Sequence, residues 1–515
     1  MRKDRHHLIA IYAAAMMFAG SCTNNPYRPG ENAEFTFFGP FSTPPTKLDP
    51  ASAYYVHEGQ IIDQIYEPPF TYHYLKRPYE LIPLTAECIP EPEYFDNHGK
   101  RIHDADPDPN IVVRTEYTIK IKKGIMYQNH PCFALNDSGA AYYENIGSNL
   151  REKHNNLADF EHQSTRELLA RDYVLQIRRL ADPRLASPVF STIARYVLGL
   201  EQLHDLYAEM LARERERRRT EAGSSYNQER DEKENPIVLD YMKPDLPGVM
   251  IINSHTYKII LMRKYPQILY WMCMHFFGPM PEEAIKFYAL PTIAKQEFSI
   301  NKSPVGTGPY YLKVFKPNEK IVLEKNPNYH DDFYPTDGAP GDEEKGLLRD
   351  AGKRIPFIHR QVLRLEKEAM PTWSKFLQGY YDSSSIANDV FDQAVQLKSD
   401  NDPDVSPMMS AKGIRLITDV DTMFWYTAFN MLDPIVGGYE PGKAQLRQAI
   451  SIALDYNEYL DIFANGRGVL AQGPIPPGIF GYRSGSKGAN PFVDEWDLIR
   501  KRHVRQSIEK AQQLM

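Results

Sequence analysis

Two hydrophobic periods alternate along this chain of 515 residues, and their mixture limits the folds open to it. From Glu116 to Lys122 apolar residues recur at every second position. Tyr117, Ile119 and Ile121 therefore share one face of a predicted strand that turns at Lys123-Gly124. Tyr311 to Phe315 and Lys320 to Lys325 flank Lys316-Pro317-Asn318-Glu319, which has the residues of a hairpin turn. Between Lys443 and Asn465 the period becomes that of a helix. Leu446, Ala449, Ile450, Ala453, Leu460 and Phe463 form one stripe, and Gly466 is its predicted stop. Strands and helices mixed in this way indicate an α/β or α+β protein. At roughly 150 residues per domain, the length fits two or three.

The N-terminus reads as an export signal. Arg2, Lys3 and Arg5 precede an uninterrupted apolar run from Leu8 to Phe18. The run is too short for a bilayer, which takes about 20 apolar residues, so residues 1–21 are predicted to be a cleavable signal. The run is followed by Ala19-Gly20-Ser21-Cys22, which resembles a lipobox, with Ala19 where leucine is usual. Cys22 is then the lipidated residue and residues 22–33 a flexible tether. The expected location is the periplasmic face of a membrane or the cell surface, with the lipid as anchor. Ile268 to Phe277 is the longest later apolar stretch; bounded by Gly278-Pro279, it is predicted to be core.

Composition and motifs argue against several function classes. A net charge of −7 does not suit nucleic acid, whose phosphates need a basic surface. With Cys22 acylated, Cys88, Cys132 and Cys273 remain, an odd number that allows at most one disulfide. Gly437-Gly438-Tyr439-Glu440-Pro441-Gly442-Lys443-Ala444 departs from a P-loop at Ala444, where a hydroxyl must meet Mg²⁺, so its glycines are predicted to form a turn before the helix. Trp271-Met272-Cys273-Met274-His275 contains soft metal donors, but adjacent residues of a packed element face different ways, and core filling is the simpler expectation. His57, His73 and His130 lack a partner at a diagnostic spacing. No catalytic residue, metal or cofactor is assigned. The charged stretch from Leu211 to Asn235 is expected to be a solvated helix end and loop, and Tyr334 to Gly352 a surface loop.

Several motifs fall in a fixed order. Leu48-Asp49-Pro50 is followed by Gln64-Ile65-Tyr66-Glu67-Pro68-Pro69, then Leu84-Thr85-Ala86-Glu87 and Tyr117-Thr118-Ile119-Lys120-Ile121-Lys122-Lys123-Gly124. Later come Asp172-Tyr173-Val174, Arg179-Leu180-Ala181-Asp182-Pro183, Gly306-Thr307-Gly308-Pro309-Tyr310 and Lys325-Asn326-Pro327-Asn328-Tyr329. Phe429-Asn430, the helix with Leu446-Arg447-Gln448-Ala449-Ile450, and Gln472-Gly473-Pro474-Ile475-Pro476-Pro477-Gly478 complete the series. In this order they resemble family 5 of the bacterial extracellular solute-binding proteins, the peptide receptors of ABC importers.

The resemblance implies an α/β, two-lobed Venus-flytrap fold enclosing its ligand, with an extra subdomain in the first lobe. It sets the first lobe at residues 34–305, the subdomain at about 60–181 and the second lobe at 306–515. Gly306, Thr307 and Gly308 are the implied hinge, where glycines absorb backbone changes. The implied ligand contacts are a strand at Tyr54-Tyr55-Val56 with His57 behind it, and Trp425, Tyr426 and Asn430. Partners would be an oligopeptide or similar solute and the permease subunits, with the receptor monomeric. Alternatives are a nickel chelate, haem or oligosaccharide ligand, or an extracellular hydrolase. One departure stands out. Val504 to Met515 resembles a helical element of the family, but the segment whose Asp pairs with a peptide α-ammonium does not follow, so a C-terminal part of the second lobe is expected to be missing, the alternative being a receptor that lacks that anchor.

Overall fold

The computed structural model describes residues 35–144, 156–397 and 403–515. The predicted signal, Cys22 and the tether lie outside the described residues. The chain divides into two compact units. The first holds residues 35–74, Leu81–Asp337 and Asp342–Ser384, and the second Leu75–Glu80, Gly338–Gly341 and Ser385–Met515. Among the described residues, no helix is long and apolar enough to cross a membrane.

The strands of the first unit are β1 (Thr36–Phe41), β2 (Phe70–Tyr72), β3 (Leu81–Pro83), β4 (Glu93–Phe95), β5 (Arg101–Ile102), β6 (Arg114–Lys120), β7 (Val249–Asn253), β8 (Thr256–Leu261), β9 (Tyr310–Lys316), β10 (Lys320–Lys325) and β11 (Arg360–Leu365). Four of its helices bear on the argument: α1 (Val56–Ile62), α2 (Ala170–Arg179), α3 (Leu200–Ala222) and α4 (Gln228–Glu234). A five-stranded antiparallel sheet runs in the order β5-β4-β6-β8-β7. The predicted alternation is its central strand. Tyr117, Ile119 and Ile121 are buried on one face, and Gly124 turns the chain with φ +80°. Helix α2 covers this sheet with Tyr173, Val174 and Ile177, and the Tyr173 ring stacks on Tyr257 of β8 at 5.6 Å. Each such side chain removed from water contributes about 1.5–3 kcal/mol.

The second sheet has the order β1-β11-β10-β9, with β1 parallel to β11 and the other pairs antiparallel. Its β9–β10 hairpin is the one expected from the sequence, closed by the Glu319 amide donating to the Lys316 carbonyl at 2.8 Å. This pairing has a wider consequence. Because β1 lies in one sheet with β9, β10 and β11, residues 310–337 and 342–365 belong to the first compact unit, and the chain enters the longest stretch of the second at Ser384–Ser385. Strands β7 and β8 bring residues 249–261 into the five-stranded sheet.

The charged stretch after Leu211 neutralises itself. Arg215 meets Glu232 at 2.7 Å and Arg218 meets Asp231 at 2.8 Å, pairing α3 with α4. Of the apolar run predicted to be core, Ile268, Met272, Phe276 and Phe277 are buried, whereas Tyr270 and Met274 are exposed. In the second unit the expected single helix is two, Pro441–Ala453 and Tyr456–Ala464. Asp455 makes the break, because its carboxylate accepts from the Asn457 and Glu458 amides, both at 3.1 Å, and so caps a new start. Ala449 and Ile452 are buried with Ala511, whereas Ala453 and Phe463 of the predicted stripe are exposed. Gly438 adopts φ +86° in the turn before the first helix, where Arg447 donates to the Val436 and Gly438 carbonyls. The near P-loop is therefore a helix-leading turn.

Candidate functional site

Tyr54–His57 follows a rigidly built turn. The Asp49 carboxylate receives the Arg179 guanidinium at 2.6 and 3.1 Å, and both side chains are buried. Asn301 accepts the Leu48 and Asp49 amides at 3.0 Å, while the Asp49 carbonyl accepts those of Ser52 and Ala53. The chain then stays extended only through Tyr55, the N-cap residue of α1, with φ −77° and ψ 147°. The segment is thus not a strand from Tyr54 to Val56. Its extended part ends at Tyr55, and Val56 and His57 are already helical.

The reason is Glu58, whose residue is 0 % exposed. Its Oε1 accepts from the Thr46 amide, the Thr46 hydroxyl and the Lys47 amide at 3.2, 2.8 and 2.9 Å. Its Oε2 accepts the Tyr54 and Tyr55 amides at 3.1 and 3.4 Å. Burial pushes the carboxyl up, but the Thr46 hydroxyl and the Tyr54, Lys47 and Thr46 amides outweigh it and hold it below the usual carboxylate range. The Tyr54 and Tyr55 N–H groups are therefore turned inward onto a carboxylate. What this segment offers outward is side chains.

Those side chains are open. Tyr54 is 66 % exposed and Tyr55 62 %, with Val56 exposed beside them. The two tyrosine rings meet edge-on at 6.3 Å, and His57 stacks on Tyr55 at 5.4 Å. Such rings combine apolar faces with polar tips. His275 holds both ends of the element: Nε2 lies 3.1 Å from the Ala53 carbonyl and Nδ1 3.0 Å from Asp63, the residue that closes α1. Neither Asp63 nor His275 was singled out for this site by the sequence, because they meet across more than 200 residues.

The Gly306-Thr307-Gly308 segment lies against the far end of the same element. The Gly308 amide donates to the Ile65 carbonyl at 2.8 Å and the Tyr310 amide to that of Gln64 at 3.1 Å. On its other side the Gln128 amide donates to the Gly306 carbonyl at 2.9 Å. Neither glycine has a positive φ. Both are needed for close approach, since a Cβ on Gly306 would overlap the Ile65 carbonyl and one on Gly308 would sit 2.6 Å from the Gln64 oxygen.

In the second unit, Trp425 is 86 % and Tyr426 77 % exposed, on a stretch from 414 to 430 that forms neither helix nor strand. The Tyr426 ring lies 5.6 Å from that of Phe424. Asn430 is exposed and begins a turn, its side-chain oxygen accepting the Leu432 amide at 3.1 Å and its carbonyl the Asp433 amide at 3.0 Å. Cys88, Cys132 and Cys273 are free thiols. Among the described residues, no group of three or more His, Cys, Asp or Glu side chains could hold a metal ion.

Residues 114–515 match the family model described as bacterial extracellular solute-binding proteins, family 5 Middle. The chain belongs to this family. A family relative is the probable D,D-dipeptide-binding periplasmic protein DdpA of Escherichia coli, 22% identical over 251 residues, which are 48% of this chain and 40% of that protein. Among solved structures, the Escherichia coli murein tripeptide binding protein MppA superposes with a TM-score of 0.51 at 16% identity, covering 93% of this chain. The OppA protein of Burkholderia pseudomallei gives 0.50 at 15% identity, again over 93%. These likenesses show the fold, the α/β architecture of the two-lobed periplasmic binding proteins. The chain spans 65% of the length of the MppA structure and 66% of that of OppA.

Proposed function

We propose that this family 5 chain captures oligopeptides, or solutes of similar size, for delivery to the permease of an ABC importer, as a monomer tethered through a lipid on Cys22. The observation that carries the reading is the exposed Tyr54–Tyr55–Val56 face, with the half-buried His57 stacked on Tyr55, on a backbone pinned by Glu58. Large aromatic faces on a fixed base contact a ligand at little entropic cost. Trp425, Tyr426 and Asn430 supply the corresponding contacts of the second unit. Contacts of this kind accept many side chains, which suits broad peptide selectivity. The names of DdpA and MppA, a dipeptide and a tripeptide binder, support the solute class.

The test is to incubate the purified chain with a defined peptide mixture, then weigh the complex and the free peptides by mass spectrometry. Intact peptide carried by the protein is the expected result. Cleaved products in place of a complex would overturn the receptor reading. Anchoring has its own test: Cys22→Ala should leave the protein unlipidated, either uncleaved or released in soluble form, and a variant still membrane-bound after signal removal would contradict it.

A further inference from the structure

We infer that Lys325, Arg354 and Arg360 form a docking cleft for the phosphate groups of an anionic phospholipid surface, on which the tethered chain settles. The inference rests on the reading that Cys22 carries the lipid. The cleft opens in the first unit where β10 ends and β11 begins, and its volume is about 540 Å³. The three cations line it with Asn326 and His359, and Glu324 is its one carboxylate among the described residues.

These cations are incompletely satisfied within the protein. Lys325 Nζ reaches the Pro356 carbonyl at 3.4 Å and, among the described residues, pairs with no carboxylate. Arg360 Nε stands 3.8 Å from Glu324 Oε1, too far for a hydrogen bond. Glu324 is already engaged through Oε2, by the Tyr311 hydroxyl at 2.7 Å and Lys313 at 3.5 Å. Arg354 Nη2 meets the Tyr329 carbonyl at 3.2 Å and the exposed Asp331 at 3.1 Å. The arginines of α3 make the contrast: Arg215, Arg217 and Arg218 each meet a carboxylate at 2.9 Å or closer. That stretch neutralises itself, whereas the cleft keeps a surplus of positive charge.

The place where the tether enters the fold points to the partner. β1 pairs with β11 so that Thr36 lies opposite Arg360, and the His359 amide donates to the Phe35 carbonyl at 2.8 Å. Phe35 is 13 residues after Cys22, a length that spans at most about 45 Å whatever its path. A lipid on Cys22 therefore keeps the cleft within reach of headgroups. Phe35 and Phe357 are exposed beside the cations, with the Phe35 ring 5.0 Å from that of His359. Aromatic rings next to basic side chains suit the boundary between headgroups and acyl chains. With a net charge of −7, the molecule as a whole is repelled by an anionic surface, so the attitude that presents a local cluster of cations is selected. The candidate ligand face stays clear of this contact. Gln361, next to Arg360, meets Gln64 just past the end of α1, while Tyr54 and Tyr55 stand at the start of that helix.

The experiment is co-sedimentation of the unlipidated chain, released in soluble form by Cys22→Ala, with equimolar phosphatidylglycerol–phosphatidylcholine vesicles beside vesicles of phosphatidylcholine alone. Binding to the anionic vesicles is expected, weakening as salt rises. Lys325→Gln/Arg360→Gln should reduce it roughly thirtyfold, about fivefold for each cation near the surface. Lys123→Gln/Lys295→Gln, an equal change of charge elsewhere in the first unit, should bind as the parent does. In the lipidated wild type, amide exchange over residues 354–360 should be slower on anionic than on neutral vesicles, a readout that needs no released protein. No preference for anionic vesicles by either readout, or equal losses in the two double variants, would overturn the inference. Inorganic phosphate at constant ionic strength should leave vesicle binding in place. Displacement by millimolar phosphate would mark the cleft as a site for the free anion and overturn the membrane partner. A wild-type chain found without lipid, but bound to anionic vesicles through Lys325 and Arg360, would overturn the anchor at Cys22 and leave the cleft standing.

Discussion

A methyl group at Gly306 would have to occupy the space of the Ile65 carbonyl, and a backbone atom cannot swing aside as a side chain can. Gly306→Ala should therefore destabilise the first unit by about 3 kcal/mol, the upper range for forced overpacking. Urea unfolding would measure it, and a loss below about 1 kcal/mol would contradict the packing described. A second residue makes stability depend on pH. His330 Nε2 lies 2.8 Å from the buried Glu67 carboxylate. Burial lowers the basicity of this ring, but the bond to Glu67 and its charge outweigh that and raise it above 6.5. With the folded value above the unfolded one, the contribution is complete below about pH 6.5 and is lost as pH rises through the folded value. The wild-type urea midpoint should fall over that window by more than that of His330→Gln. Equal slopes in the two proteins would refute the assignment.

The elements of the first unit are joined by charges as well as apolar faces. Arg166 donates to both oxygens of Asp172 in the first turn of α2, at 2.8 Å, and to both oxygens of Glu283 on the helix Glu282–Ala289, at 2.8 and 2.7 Å. Asp172 is buried, so Arg166→Ala leaves a carboxylate without its counter-charge and should cost about 3–5 kcal/mol. Adding Asp172→Ala should recover part of that loss, as a double-mutant cycle would read. Additive losses would mean that the two are not coupled. These joints mark where the sequence stops being legible. Tyr117, Ile119 and Ile121 announce their strand because period two is local, and the β9–β10 hairpin is equally local. The break at Asp455 was also readable, since an Asp with Glu458 three residues on is a capping signal, but the apolar stripe of Leu446–Phe463 masked it. By contrast, the pairing of β1 with β11 and the grip of His275 on Ala53 and Asp63 join residues hundreds of positions apart, and no local pattern encodes them.

At the scale of the molecule, the family motifs serve chiefly as framework in the structure. Asp49 and Arg179 pair with each other, Asn326 donates to the Gly308 carbonyl, and Gly306 packs on Ile65. Of these, Asp49 and Arg179 fix the turn from which Tyr54 and Tyr55 project. This explains why the order of motifs identifies the family while the solute stays unwritten in them: the residues of the motifs bond to one another and to the backbone. The most direct test of the whole account is native mass spectrometry of the full-length chain after incubation with a tripeptide-to-pentapeptide library, beside the Tyr54→Ala/Tyr55→Ala variant. The account predicts one intact peptide per wild-type chain and little or none on the variant. Equal loading of the two proteins, or no peptide on the wild type, would contradict it.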